Sequence, residues 1–198
     1  VTTHASTGTD LSLNTDEVIA ALSKQFRTED RIGLVGHGFV ELFDEHGDLK
    51  QFERFFNLIT NVGDEYYAER AAGIATPPGQ VTGMQLGTGA TAPSKNGAGA
   101  GIVTLVAASL VAIDGGFPTS NNLQSGTVAC RIQWKTTWAA GVATANAIAE
   151  VALVNQATAT QTVAPAAATI SRALITPTVN KAAGDTLAVT WNHDILGA

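Results

Sequence analysis

Beyond residue 81 the chain is a succession of short stretches cut apart by loops rich in Gly, Pro, Asn and Thr. VTGMQLG, the apolar and β-branched run from Ile102 to Ile113, VACRIQWKTTW, AIAEVALV, ISRALITP and TLAVTWNH follow one another in this way. Two of them carry the two-residue period of a strand with one buried face. Ile132, Trp134 and Trp138 share one parity, as do Leu187, Val189 and Trp191. Strands in series without intervening helices predict a mainly β chain, an antiparallel β-sandwich or jelly roll rather than an α/β fold.

The first half adds a hairpin and short helices. Phe39 to Phe43 and Leu49 to Ile59 read as its two strands, with His46-Gly47-Asp48 at the turn. DEYYAERAA reads as a short helix stopped by Gly73, and Pro77-Pro78-Gly79 breaks the chain before the next strand. Residues 1–13 are rich in Thr and Ser and lack periodicity, as an extended arm would. After them Asn14 or Thr15 can cap a short helix, with Asp16 and Glu17 at its positive end and Val18, Ala21, Leu22 and Phe26 on one face. Three readings are open for arm and helix: a disordered tail, a helix packed on its own domain, or an anchor for a neighbouring subunit. The expected organisation is an arm and helix over residues 1–30 and one β-sandwich domain over 31–198.

Charge narrows the function classes. Only 14% of the 198 residues are charged, well below the usual quarter. A surface so sparsely charged and so rich in Ala, Gly and Thr suggests cover by neighbouring molecules. The net charge is −6 and Lys and Arg do not cluster, so the footprint of a nucleic-acid binder is missing. No apolar run reaches the ~18–20 residues that span a bilayer, so no membrane is expected. The opening VTTHASTGTD lacks a basic region and does not read as a signal peptide. A lone cysteine, Cys130, excludes an internal disulfide and fits synthesis in a reducing cytoplasm.

GTGATA, residues 87–92, matches the G-x-G-x-x-A fingerprint of a pyrophosphate loop. That loop must open a helix whose N-terminal amides face the phosphates. Here Pro93, Asn96-Gly97, Gly99 and Gly101 follow and cannot start one, so the segment reads as a surface connection between strands and no cofactor is expected. Asp44, Glu45, His46 and Asp48 gather possible metal ligands, but a tight hairpin cannot supply a calcium loop's distal ligand, and a polar turn explains them. His37 and His193 have no partners at metal-ligand spacing. Ser94, Ser109, Ser125 and Ser171 lack a nucleophile's strand–turn–helix setting, and Cys130 falls inside a predicted strand. No catalytic, cofactor or metal residue is assigned. Trp134 and Trp138 lie four apart on one face of a strand, where they would either fill the core or form a platform that stacks sugars.

Three stretches then carry a resemblance. FVELFDEHGDLKQFERFFNLITNVG is similar to a hairpin of tailed-bacteriophage virion proteins that ends in N-L-I-T-N-x-G, and MQLGTGATAPSKNGAG to their I-G-T-G-T-T-A-P loop. AIAEVALVN with ISRALITPTVNKAAGDTLAVTWNHDILGA resembles their recurrent ending, with Ala149-Glu150-Val151-Ala152 where S-E-V-G is usual. The resemblance covers residues 38–198. It implies a β-sandwich virion protein, foremost a capsid decoration (cement) protein that binds and stabilises the head shell. Its partners would be the major capsid protein and itself, as a homo-trimer or else a dimer, and its place the outer capsid surface after synthesis in the host cytoplasm. The alternative is a tail-tip, tail-fibre or head-fibre module holding host surface glycan on Trp134 and Trp138. In either case Val1, Thr2, Thr3, His4, Leu11, Leu13, Val18, Leu22 and Phe26 are the candidates for anchoring to shell or sister subunits. The resemblance supplies no catalytic residue.

Overall fold

The computed structural model describes residues 33–121 and 129–196. The arm, the first helix and the anchoring candidates from Val1 to Phe26 lie outside them.

The hairpin is longer than its pattern shows. Strand β1 runs Gly33–Phe43 and β2 Leu49–Ile59. Asp44 organises the turn: its Oδ1 accepts the backbone N–H of His46 and of Asp48, each at 2.9 Å, and Gly47 supplies a φ of +88°. Helix α1, Asn61–Ala71, follows at once because Thr60 caps it, its hydroxyl oxygen accepting from the Gly63 amide at 3.0 Å. Strand β3 is Gly83–Gly87. The stretch from Ile102 to Ile113, expected as a strand, is mostly loop. Only Val111–Ala112 (β4) is strand, with an isolated bridge between Leu105 and Gly87. The run turns back because Ser109 bonds the Leu86 backbone, its hydroxyl donating to the carbonyl at 3.0 Å and accepting from the amide at 3.2 Å. The remaining strands are β5 (Thr119–Asn121), β6 (Ala129–Trp138), β7 (Ala145–Val154), β8 (Thr169–Lys181) and β9 (Thr186–Leu196).

All pairings are antiparallel, and the strands form a single 9-stranded sheet in the order β4-β3-β7-β8-β2-β1-β9-β6-β5. Its midpoint is thin. β2 meets β8 only where Asn57, Leu58 and Ile59 face Ala173, Arg172 and Ser171. Beyond that joint the two strands part, and the sheet curls so that its halves face each other across one core. Met84, Leu86, Ile148, Val151 and Ile175 from one half pack with Leu42, Phe55, Trp138, Val189 and Trp191 from the other. On the far side the chain crosses back. Asp114, just after β4, donates its amide to the Lys135 carbonyl at 2.8 Å, and its carboxylate accepts from the Thr137 amide and hydroxyl. The result is a flattened half-barrel whose outermost strands are short, which limits open edge.

Candidate functional site

The polar residues gather at three places, built on the same strands. The first is the loop holding GTGATA. Glu150 of β7 is fully buried, and three backbone amides converge on its carboxylate: Gly89 at 2.9 Å, Val103 at 3.1 Å and Thr104 at 2.9 Å. Arg172 of β8, equally buried, closes the other side, its Nε at 3.0 Å and Nη2 at 2.5 Å from Glu150 Oε2. Its remaining amine, Nη1, donates to the carbonyls of Thr91 at 2.9 Å and Gly99 at 3.2 Å. The glycines make room for this. A Cβ at Gly87 or Gly89 would stand 2.4 or 2.6 Å from Glu150 Oε1. The phosphate-loop fingerprint therefore does cradle an anion, but the anion is the chain's own glutamate.

The second lies inside, next to the β2–β8 joint. β1 presents Gly36 and Gly38 to the core, so the strands on either side of it touch over its backbone. Asn57 of β2 reaches His193 Nε2 of β9 at 3.2 Å across Gly36, where a Cβ would fall 2.1 Å from the amide group. Phe55 and Trp191 meet edge-on at 5.0 Å across Gly38. Trp191 Nε1, which can only donate, sits 3.0 Å from His193 Nε2, so that nitrogen is an acceptor and the proton is on Nδ1. Nδ1–H then donates to the Tyr67 hydroxyl of α1 at 2.5 Å, and Asn57 also bonds Ser171 of β8. Burial drives the His193 pKa down to about 3, with the Asp194 charge pulling the other way, so the ring stays neutral. Burial likewise pushes the Tyr67 hydroxyl up. This is a satisfied, neutral core network that fastens four elements together.

The third is on the outward face of β2, β1, β9 and β6. Asp194 is buried although it points away from the core; Arg131 grips it with Nε at 2.8 Å and Nη2 at 3.1 Å, and His37 Nε2–H donates to it at 2.9 Å. Burial works to raise the Asp194 carboxyl, but the bonds from His37 and Arg131 outweigh it and hold its pKa below the ordinary value. Gln133 donates to Asn192 beside them at 2.9 Å. Phe39 stacks on Phe52 at 5.7 Å between ring centres, and Arg54 lies over the Phe52 ring at 5.8 Å. Together these residues and Glu41 line a depression of about 320 Å³. A His–Asp pair could move a proton, yet among the described residues no hydroxyl or thiol is bonded to His37, and the face is better suited to contact than to chemistry.

The sequence candidates distribute differently from their first reading. Trp134 and Trp138 are 2% and 0% exposed. They belong to the core, and neither offers a face to a sugar; the Trp138 indole N–H donates to the Ser109 carbonyl at 2.7 Å. Asp44 spends its carboxylate on its own turn, and Cys130 is exposed. Among the described residues no group of three or more His, Cys, Asp or Glu is placed to hold a metal ion. What sequence reasoning missed was Glu150–Arg172 and the His37–Asp194–Arg131 cluster. The first had a signal, a Glu and an Arg alone in apolar strands; the second depends on β1 and β9 pairing at long range. Comparison with family models, with curated proteins and with solved structures finds no match.

Proposed function

We propose that this chain is a structural protein of a tailed-phage virion, foremost a capsid decoration protein that binds and stabilises the head shell. The observation that supports the reading is where the three resembling stretches lie. Asn57 and Thr60 of the N-L-I-T-N stretch bond Ser171 and the carbonyls of Thr169 and Ile170 in the I-S-R stretch, while Arg172 and Glu150 clamp the GTGATAP loop. Segments far apart in the chain thus hold one another at the joint of the sheet. They serve a scaffold, which is what a shared virion fold would keep.

In this reading the halves of the curled sheet stand for the two sheets of the implied sandwich or jelly roll, joined at the three-residue ladder. The sparse charge then serves assembly, because close packing against a shell desolvates few ions. Repetition over a lattice makes many modest interfaces sufficient. Binding as a trimer at local three-fold positions, or as a dimer at two-fold positions, follows from closed symmetry. Mixing purified protein with undecorated capsids and imaging the particles tests the proposal. Stoichiometric density at repeated lattice positions is expected. Density confined to the tail, or no binding, overturns it.

A further inference from the structure

The outward face of the β1–β2 hairpin leaves large apolar side chains open. Phe52 is 43% and Phe56 64% exposed, four residues apart on the same side of β2. Phe56 borders a depression of about 340 Å³ lined also by Leu34, Val35 and Leu58, and Phe52 with Phe39 borders the neighbouring one. Paired open phenylalanines beside two hollows mark a surface built to be covered.

We propose that the occupant is residues 14–26 of the same chain, laid on this face as a helix with Val18, Leu22 and Phe26 inward. The dimensions agree. Val18 to Phe26 spans about 12 Å along a helix, and Phe52 to Phe56 about 13 Å along a strand. The tether agrees as well. Residues 27–32 can reach roughly 20 Å, while Phe56 stands opposite His37, four positions and about 13 Å along β1 from Gly33. Phe26 therefore falls near Phe56, and Val18 near Phe52 and Phe39. Charge is complementary: Asp16 and Glu17 open the segment, and the face carries His37, Arg54 and Arg131 against the single Glu41. A tether this short supplies an effective concentration on the order of millimolar, which favours the chain's own segment over a second copy in dilute solution. The inference stands apart from the virion reading. It leaves residues 1–13 as the arm that would reach outward.

Hydrogen exchange of the full chain tests it. Amides 18–26 should exchange at least roughly tenfold more slowly than an unstructured peptide, and Phe52→Glu/Phe56→Glu should abolish that protection. Leu22→Glu/Phe26→Glu, which leaves the sheet untouched, should abolish it equally, with core tryptophan emission unchanged in both variants. In a Cys130→Ser background, Leu22→Cys with Phe52→Cys should form a disulfide within single chains at micromolar protein. Unprotected amides in the wild type, protection that survives both double variants, or disulfides only between chains would each overturn the proposal.

Discussion

Replacing Glu150 with glutamine keeps the side chain's shape and one carbonyl oxygen for the loop amides, but leaves the Arg172 guanidinium, 0% exposed, without a counter-charge. Breaking a buried pair from one side costs about 3–5 kcal/mol. For a domain of this size each kcal/mol moves the melting temperature by about 2–4 °C, so a fall on the order of 10 °C is expected. Two double variants separate the ion pair from the amide cradle. Glu150→Gln/Arg172→Met removes both charges while retaining the acceptor, and should regain most of the loss, because an apolar replacement of a buried pair is often nearly neutral. Glu150→Leu/Arg172→Met also removes the acceptor and orphans the amides of Gly89, Val103 and Thr104. At about 1–3 kcal/mol for each buried unsatisfied group, it should lie at least 3 kcal/mol below its partner variant. Urea unfolding followed by circular dichroism measures all three. If the two double variants agree within about 0.5 kcal/mol, the loop does not depend on the buried carboxylate and the cradle account is wrong.

Gly38→Ala would place a Cβ 2.3 Å from the Thr190 carbonyl oxygen and 2.5 Å from the Phe55 ring; a loss of about 2 kcal/mol or more is expected in the same urea assay, whereas Gly79→Ala, with open space around it, should change little. His193 stays neutral when folded, with its pKa held down to about 3, but takes a proton in the unfolded chain below about 6.5. Stability should therefore fall as pH drops from 6.5 to 4.5, by at most about 1.4 kcal/mol per unit, and His193→Gln should flatten that slope. Asp194, whose carboxyl is lowered, loses its contribution only nearer pH 4, so the window isolates the histidine. Tryptophan emission should be that of buried indoles and should not shift on titration with host surface polysaccharide, since Trp134 and Trp138 are closed off; a saturable shift would reinstate the glycan reading.

The strands that were legible are those whose burial alternates or whose apolar run has clear ends. The hairpin turn, α1, β3 and the series from β6 to β9 fall where their patterns put them. The stretch from Ile102 to Ile113 misled because β-branched residues suit any half-buried surface. Val106 and Leu110 are buried as loop residues, and Ser109 decides the path through bonds to Leu86 that no local pattern announces. β1 was cut short because its glycines look like loop residues. At Gly36 and Gly38 the missing side chains are what allow Asn57 to meet His193 and Phe55 to meet Trp191. The curl of the sheet was hidden for a similar reason, since the width of the β2–β8 ladder is set by long-range register.

These glycines also explain where function can reside. A carboxylate that fills the cleft in a glycine loop, and a histidine neutral among Tyr67, Trp191 and Asn57, are groups already spent on holding the fold. A ligand could reach them only by undoing contacts that the sheet joint depends on. The outward face differs. Its Asp194 is satisfied by His37 and Arg131, which fixes those side chains in place, while Phe52 and Phe56 next to them remain open. A rigid polar floor with exposed aromatic rings beside it is the composition of a contact surface, where aromatics supply the energy and fixed polar groups the register. The chain's capacity to recognise something is therefore concentrated on β1, β2, β9 and β6, away from every residue whose type first suggested chemistry.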